Sequence, residues 1–215
     1  VNILIVLGIL WLDGMASHSN TQTYDRRVAA LGVIDESSPE VGGDRVAYTM
    51  ALVVVDDLDQ DNVRQALTAA LNRKRPLHWE GEGTVVKQRV VDLLCELPIT
   101  AHVCTSTVHR SDQQATRVLL LREQILERAG AANAGRLLIE QRSRAEDDSD
   151  RREVRDWFRT SPHRFRGIEH VAKTEPLAWI PDTIAGIWAD VVRERGDMFV
   201  EHLVGAGRLL SMSRD

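Results

Sequence analysis

Apolar positions along this chain fall into short runs separated by turn signals, and their period changes from run to run. Residues 28–34 (VAALGVI) are an apolar run that stops at Asp35-Glu36-Ser37-Ser38-Pro39, which predicts a buried strand delivering acids at its C-terminal end. Gly42-Gly43-Asp44 predicts a turn, and 45–55 (RVAYTMALVVV) a second strand paired antiparallel with the first. From Leu58 to Lys74 the spacing becomes helical, with Leu58, Val63, Ala66, Leu67, Ala70 and Leu71 on one face and Pro76 beyond the end. A loop at 77–83 (LHWEGEG) precedes a helix over 84–97, and Pro98 separates that helix from a third strand, 99–108. Ser111 or Asp112 caps a long helix to about Ala129, and a fourth strand, 137–141 (LLIEQ), again carries an acid, Glu140. The stretch 142–166 is densely charged, predicts a helix around 151–159, and reads as a solvated face. Residues 167–171 predict a fifth strand, Glu175-Pro176 opens a last long helix through Arg193, and 196–215 predict a short helix with a frayed end.

This order, joined by short links and without a dividing linker, predicts one α/β domain over 28–195, a mixed sheet of about five strands flanked by helices. With 215 residues, 43% hydrophobic and 27% charged, the chain can bury a core without disulfides. Cys95 and Cys104 match no zinc, redox or disulfide-framework spacing, so a reducing cytoplasm is the expected compartment. The run 3–12 (ILIVLGILWL) is too short to span a bilayer, so no membrane partner is expected. That run is either an upstream stretch ahead of Met15 or an apolar arm packing on the domain, with a polar linker after it. A net charge of −5 argues against a broadly basic nucleic-acid coat but leaves room for an enzyme with local positive charge. Of 27 basic residues only Lys74, Lys87 and Lys173 are lysines.

The chemistry centres on three acids. Asp35 ends the first strand, Glu140 the fourth, and Asp182 lies in the first turns of the last long helix. If strands one and four are parallel neighbours, Asp35 and Glu140 emerge side by side where open α/β sheets bind ligands. Asp182, Ala185, Gly186 and Ala189 share a helix face of small residues, which lets that helix approach the strand ends. Converging carboxylates repel unless a cation neutralises them or their pKa values rise. Hard divalent ions such as Mg²⁺ or Mn²⁺ take oxygen ligands, and a pair of them can drive phosphodiester cleavage. Acids also follow strands simply because loops are solvated. His78, beside Trp79, either orients a water or phosphate or is a hydrogen-bonded structural histidine. His102 and Cys104 share a strand face with His109 beyond, a pattern of strand packing rather than of a zinc site. Arg142 and Arg144 either meet phosphates near Glu140 or serve capping and solvent roles. Dinucleotide-binding, Walker and serine-hydrolase motifs are absent.

The block Val33-Ile34-Asp35-Glu36-Ser37, the block Leu77-His78-Trp79, the strand Leu137-Leu138-Ile139-Glu140 and the run Pro176 to Gly186 (PLAWIPDTIAG) resemble the bacterial and phage family named domain of unknown function 3800. The resemblance spans roughly residues 30–192, most specifically in the first and last blocks. It implies a ribonuclease-H-like fold and a metal-dependent nuclease site, and it implies no established substrate; together with the placement of the acids it makes Asp35, Glu140 and Asp182 the expected metal ligands of an enzyme acting on nucleic acid, DNA or RNA. Ser38 stands where the family usually has glycine, and two helices precede the third strand, which displaces the helix that would carry the family's second acid. Glu80 is the preferred fourth ligand, ahead of Glu36 and Glu123, with His78 accessory. The competing expectation is a non-catalytic module that binds nucleic acid or protein on the same fold, in phage defence or a mobile element.

Overall fold

Strand β1 (Ala30–Ser37) sends Leu31 and Val33 to one face of a sheet and Ala30 and Ile34 to the other, the period-two alternation of a strand covered on both sides. The computed structural model describes residues 30–71, 76–161 and 167–214, with side chains to 210; the apolar run, the polar linker and Lys74 lie outside these residues. From β1 the chain turns through β2 (Glu40–Gly42) into β3 (Arg45–Asp56), antiparallel to β1 with Asp35 opposite Ala51. Gly42 and Gly43 both take positive φ in this turn, a backbone that other residues resist. β4 (Ile99–His109) pairs antiparallel with β3, while β5 (Ala134–Glu140) pairs in parallel with β1 on its other side. β6 (Gly167–Val171) and β7 (Leu209–Arg214) add parallel edges to β5 and β4. The seven-stranded order is β6-β5-β1-β3-β4-β7, with β2 on β3.

Helices cover both faces. α1 (Gln60–Leu71), α2 (Thr84–Glu96), α6 (Trp179–Val192) and α7 (Met198–Gly205) pack on the Leu31/Val33 face. α3 (Gln113–Leu120), α4 (Leu126–Ala131) and α5 (Arg144–Thr160) cover the Ala30/Ile34 face. The expected long helix to Ala129 is α3 and α4 joined through a π turn at Leu121–Ile125.

Three expectations from the pattern are corrected. Leu58, placed on the buried helix face, is 77% exposed in the turn before α1. Residues 209–214 are not a frayed end but the edge strand β7, whose partner β4 lies about a hundred residues earlier and so leaves no local signature. The charged stretch is not simply a solvated face. α5 begins at Arg144 behind a capping box of Ser143 and Glu146, and it turns Asp147, Asp150, Val154 and Trp157 inward. There Arg117 (1% exposed) makes a two-pronged contact to the fully buried Asp150 and donates to Glu36 Oε2 at 2.7 Å. Arg142 reaches Glu36 Oε1 at 2.8 Å and Asp150 Oδ2 at 3.3 Å, and His170 Nε2 lies 3.5 Å from Asp150 Oδ2. Periodic pattern cannot reveal buried charge when every member has an opposite partner.

The loop before α2 is fastened to α6 through Trp79, which is buried. Its indole lies against Gly186, where an added Cβ would come within 2.4 Å of the ring. The ring N–H donates to Asp190 Oδ2 at 2.8 Å, Lys87 Nζ stands 4.4 Å over the ring, and Phe199 meets it edge-on. The small-residue face of α6 therefore makes room for an aromatic side chain from the loop.

Two stability changes follow. Asp150→Ala strands two arginines in the interior and lowers unfolding free energy by about 3–5 kcal/mol, read from urea midpoints at constant slope. Gly186→Ala costs about 1–3 kcal/mol through overpacking against Trp79, and the double variant Gly186→Ala/Trp79→Ala costs clearly less than the two single losses added together.

Candidate active site

Asp35 follows Val33 by two residues on β1 and Glu140 follows Leu138 by two on β5, so both carboxylates leave the sheet on the α6 face. The parallel register sets Ile34 opposite Ile139, which brings the next residues, Asp35 and Glu140, to the same height at the carboxyl ends of neighbouring strands. Asp182 comes from the first turn of α6, which packs across β1 and β3 and is preceded by a short 3₁₀ turn at Pro176–Ala178 capped by Glu175. Acid in a first helical turn also faces the positive end of the helix dipole.

These three carboxylates share one electrostatic neighbourhood. Burial pushes the Asp35 carboxyl well above the ordinary carboxylate range, and the charges of Glu140 and Asp182 push it the same way. The Glu36 N–H, donating to Asp35 Oδ1 at 2.8 Å, opposes this rise without cancelling it. Glu140 accepts a contact from Lys173 Nζ at 2.9 Å. Asp182 Oδ2 accepts the Trp79 backbone N–H at 2.8 Å, and its Oδ1 lies 3.0 Å from His78 Nδ1. His78 itself is 64% exposed, so its ring is held on one side by Asp182 and open to solvent on the other.

The donors are hard oxygens, the right kind for a divalent cation, and Lys173 already places a positive group among them. Among the described residues no group of three His, Cys, Asp or Glu side chains is arranged to hold a metal ion.

The carboxylates of the other sequence candidates are turned to other partners or to solvent, although Glu80 and Glu36 line the same small cleft as Asp182. Glu80 pairs with Arg193 at 2.9 Å at the surface, Glu36 points through the sheet to Arg117 and Arg142, and Glu123 is exposed on the opposite face beside Trp157. Arg142 is committed to that same buried network, and Arg144 is a solvent-facing partner of Asp148. Cys104 is buried with its thiol toward the Met50 carbonyl, burial lowers the pKa of its neighbour His102, and His109 bonds Ser111. Lys173 is the residue that sequence reasoning overlooked. Its only signal was being a lysine in an arginine-dominated chain, since nothing local shows that β6 borders β5.

A small cleft of about 50 Å³ opens beside Asp182, between His78-Trp79-Glu80 and α6. It shares Arg193 with an open groove of about 780 Å³ running along Ser38, Glu40 and Val41 opposite the end of α6. The two depressions adjoin at Arg193, which lines both.

No protein-family model and no curated protein matches the chain. Among solved structures, ribonuclease HII from Archaeoglobus fulgidus, determined in complex with PCNA, superposes with a TM-score of 0.51 at 15% identity, covering 84% of this chain and 91% of that one. Ribonuclease H2 from Pyrococcus horikoshii OT3 superposes with a TM-score of 0.53 at 11% identity, covering 79% and 76%. Likeness at such low identity is one of architecture, and with the mixed sheet and its flanking helices it establishes a ribonuclease-H-like fold.

Proposed function

We propose that this chain is a metal-dependent nuclease that hydrolyses phosphodiester bonds of nucleic acid, with Asp35, Glu140 and Asp182 as ligands of Mg²⁺ or Mn²⁺. The observation that carries this reading is geometric: the parallel β1–β5 register sets Asp35 and Glu140 at the same height on the α6 face of a ribonuclease-H-like sheet, and Asp182 comes to that face from the first turn of α6. The resemblance of the sequence blocks to the domain of unknown function 3800 family supports the same reading, and membership of that family is part of the proposal. When bound, the cation supplies Lewis acidity for water activation and charge neutralisation at the phosphate, in the two-metal-ion manner. Asp35 and Glu140 stand on the rigid sheet, and the Trp79 N–H fixes Asp182. His78, oriented by Asp182, holds or moves a proton at its exposed ring nitrogen. Arg193, which lines both the cleft and the groove and pairs with Glu80, is the cation placed to meet a phosphate there.

A second reading has its own support. Glu140 is engaged by Lys173, Glu80 by Arg193, and the carboxylates do not close into a cage, which suits a module that binds nucleic acid or protein without cutting.

Purified protein with Mn²⁺ or Mg²⁺ is expected to cut at least one of single-stranded DNA, duplex DNA, RNA or an RNA–DNA duplex, and Asp35→Asn to lose the cutting while keeping its circular dichroism spectrum. Equal cutting by the variant would assign the activity to a contaminant. Calorimetric titration with Mn²⁺ separates the two readings: binding that disappears in Glu140→Gln favours the enzyme, and no binding even with nucleic acid present favours the module. A third expectation concerns pH. The folded chain holds the Asp35 proton more tightly than the unfolded chain, where Asp titrates near about 3.9, so stability falls as pH rises from that value through the raised folded value. Metal-free Asp35→Asn should therefore melt about 2–4 °C above wild type at pH 7, a gap that closes below about pH 4.

A further inference from the structure

Lys173 sits in the turn between β6 and α6, and its backbone is fixed on both sides. Two residues earlier, Val171 is the strand partner of Glu140, and the Lys173 carbonyl accepts the Trp179 indole N–H at 2.8 Å. The turn itself is closed by Glu175 N–H on the Ala172 carbonyl at 2.9 Å. From this anchored position the ammonium reaches Glu140 Oε1 at 2.9 Å, while the lysine side chain as a whole is 64% exposed and its carboxylate partner only 14%. Glu140 stands beside Asp35 across the parallel β1–β5 pair, so the ammonium is held at the edge of the acidic cluster.

The choice of residue matters in a chain with 27 basic residues of which three are lysines. Lys87 is about as buried as Arg142 in its pair with Asp190, and Arg117 and Arg142 each hold two carboxylates at once through a forked guanidinium, whereas Lys173 is largely exposed. A lysine makes a single-point contact from a flexible, solvated stem and can swing to solvent when another cation takes its carboxylate.

Resting on the metal-site reading above, we propose that Lys173 is the resident counter-cation of the acidic cluster and competes with divalent metal for Glu140, thereby setting how tightly the site binds that metal. In the absence of metal it offsets the repulsion among the carboxylates, and on metal binding it leaves Glu140. A lysine that merely oriented Glu140 for the metal would have the opposite effect on affinity.

The test is calorimetric titration of the full chain, stripped of metal, with Mn²⁺ alone, comparing wild type with Lys173→Met and, as a second uncharged variant, Lys173→Gln. Both variants should bind Mn²⁺ about fivefold more tightly. In chelator both should melt about 2–4 °C lower than wild type, and in a Glu140→Gln background the same substitutions should leave the melting temperature unchanged. Wild-type binding with equal or weaker affinity in both variants would overturn the competition and leave the metal-site reading standing. Absence of Mn²⁺ binding in all three proteins would overturn both.

Discussion

Parallel pairing of β1 with β5 is the constraint on which the rest of the site depends. With Ile34 opposite Ile139, the next residue on each strand is an acid, and period-two alternation turns both acids to the same face. Side chains on adjacent strands at the same height cannot move far apart, so the sheet forces Asp35 and Glu140 to share a field, and α6 adds Asp182 to it. Burial and the neighbouring acidic charges together raise the pKa of Asp35, and Lys173 sets a positive group against Glu140.

The opposite face of the sheet braces the same strand end. Alternation that sends Asp35 to α6 sends Glu36 to the interior beneath α3 and α5, where Arg117 and Arg142 take one carboxylate oxygen each. Asp150 binds both arginines, so the tip of β1 is tied by paired charge to two helices and the start of the segment after β5. Buried ion pairs of this kind contribute little net stability over well-packed apolar groups. Their consequence here is positional, because the strand that carries Asp35 cannot slide without breaking them.

The third support is the loop that carries His78 and Trp79. Trp79 gives its backbone N–H to Asp182 and its indole N–H to Asp190, two acids two helical turns apart on α6, and its ring rests on Gly186 between them. This single aromatic residue sets the Asp182 carboxylate and carries His78 to it. A tryptophan buried in the core is at the same time the positioning device for an acidic side chain.

The strand, turn and helix periods determined most elements of the fold before any contact was known, since period two and period 3.6 are written locally in the spacing of apolar residues. The same alternation fixed that Asp35 and Glu36 face opposite ways, and strand ends marked Asp35 and Glu140 as acids at one edge. Only the tertiary structure decided which strands are neighbours, and with it that Lys173 reaches Glu140, that Glu80 serves Arg193, and that Gly186 receives Trp79. It also revealed the buried side of the charged α5 and the edge strand β7, because a charge pair and a strand pair are each completed by residues remote in sequence. Local pattern records what each residue prefers to bury, and pairing across the sheet determines which residue it meets.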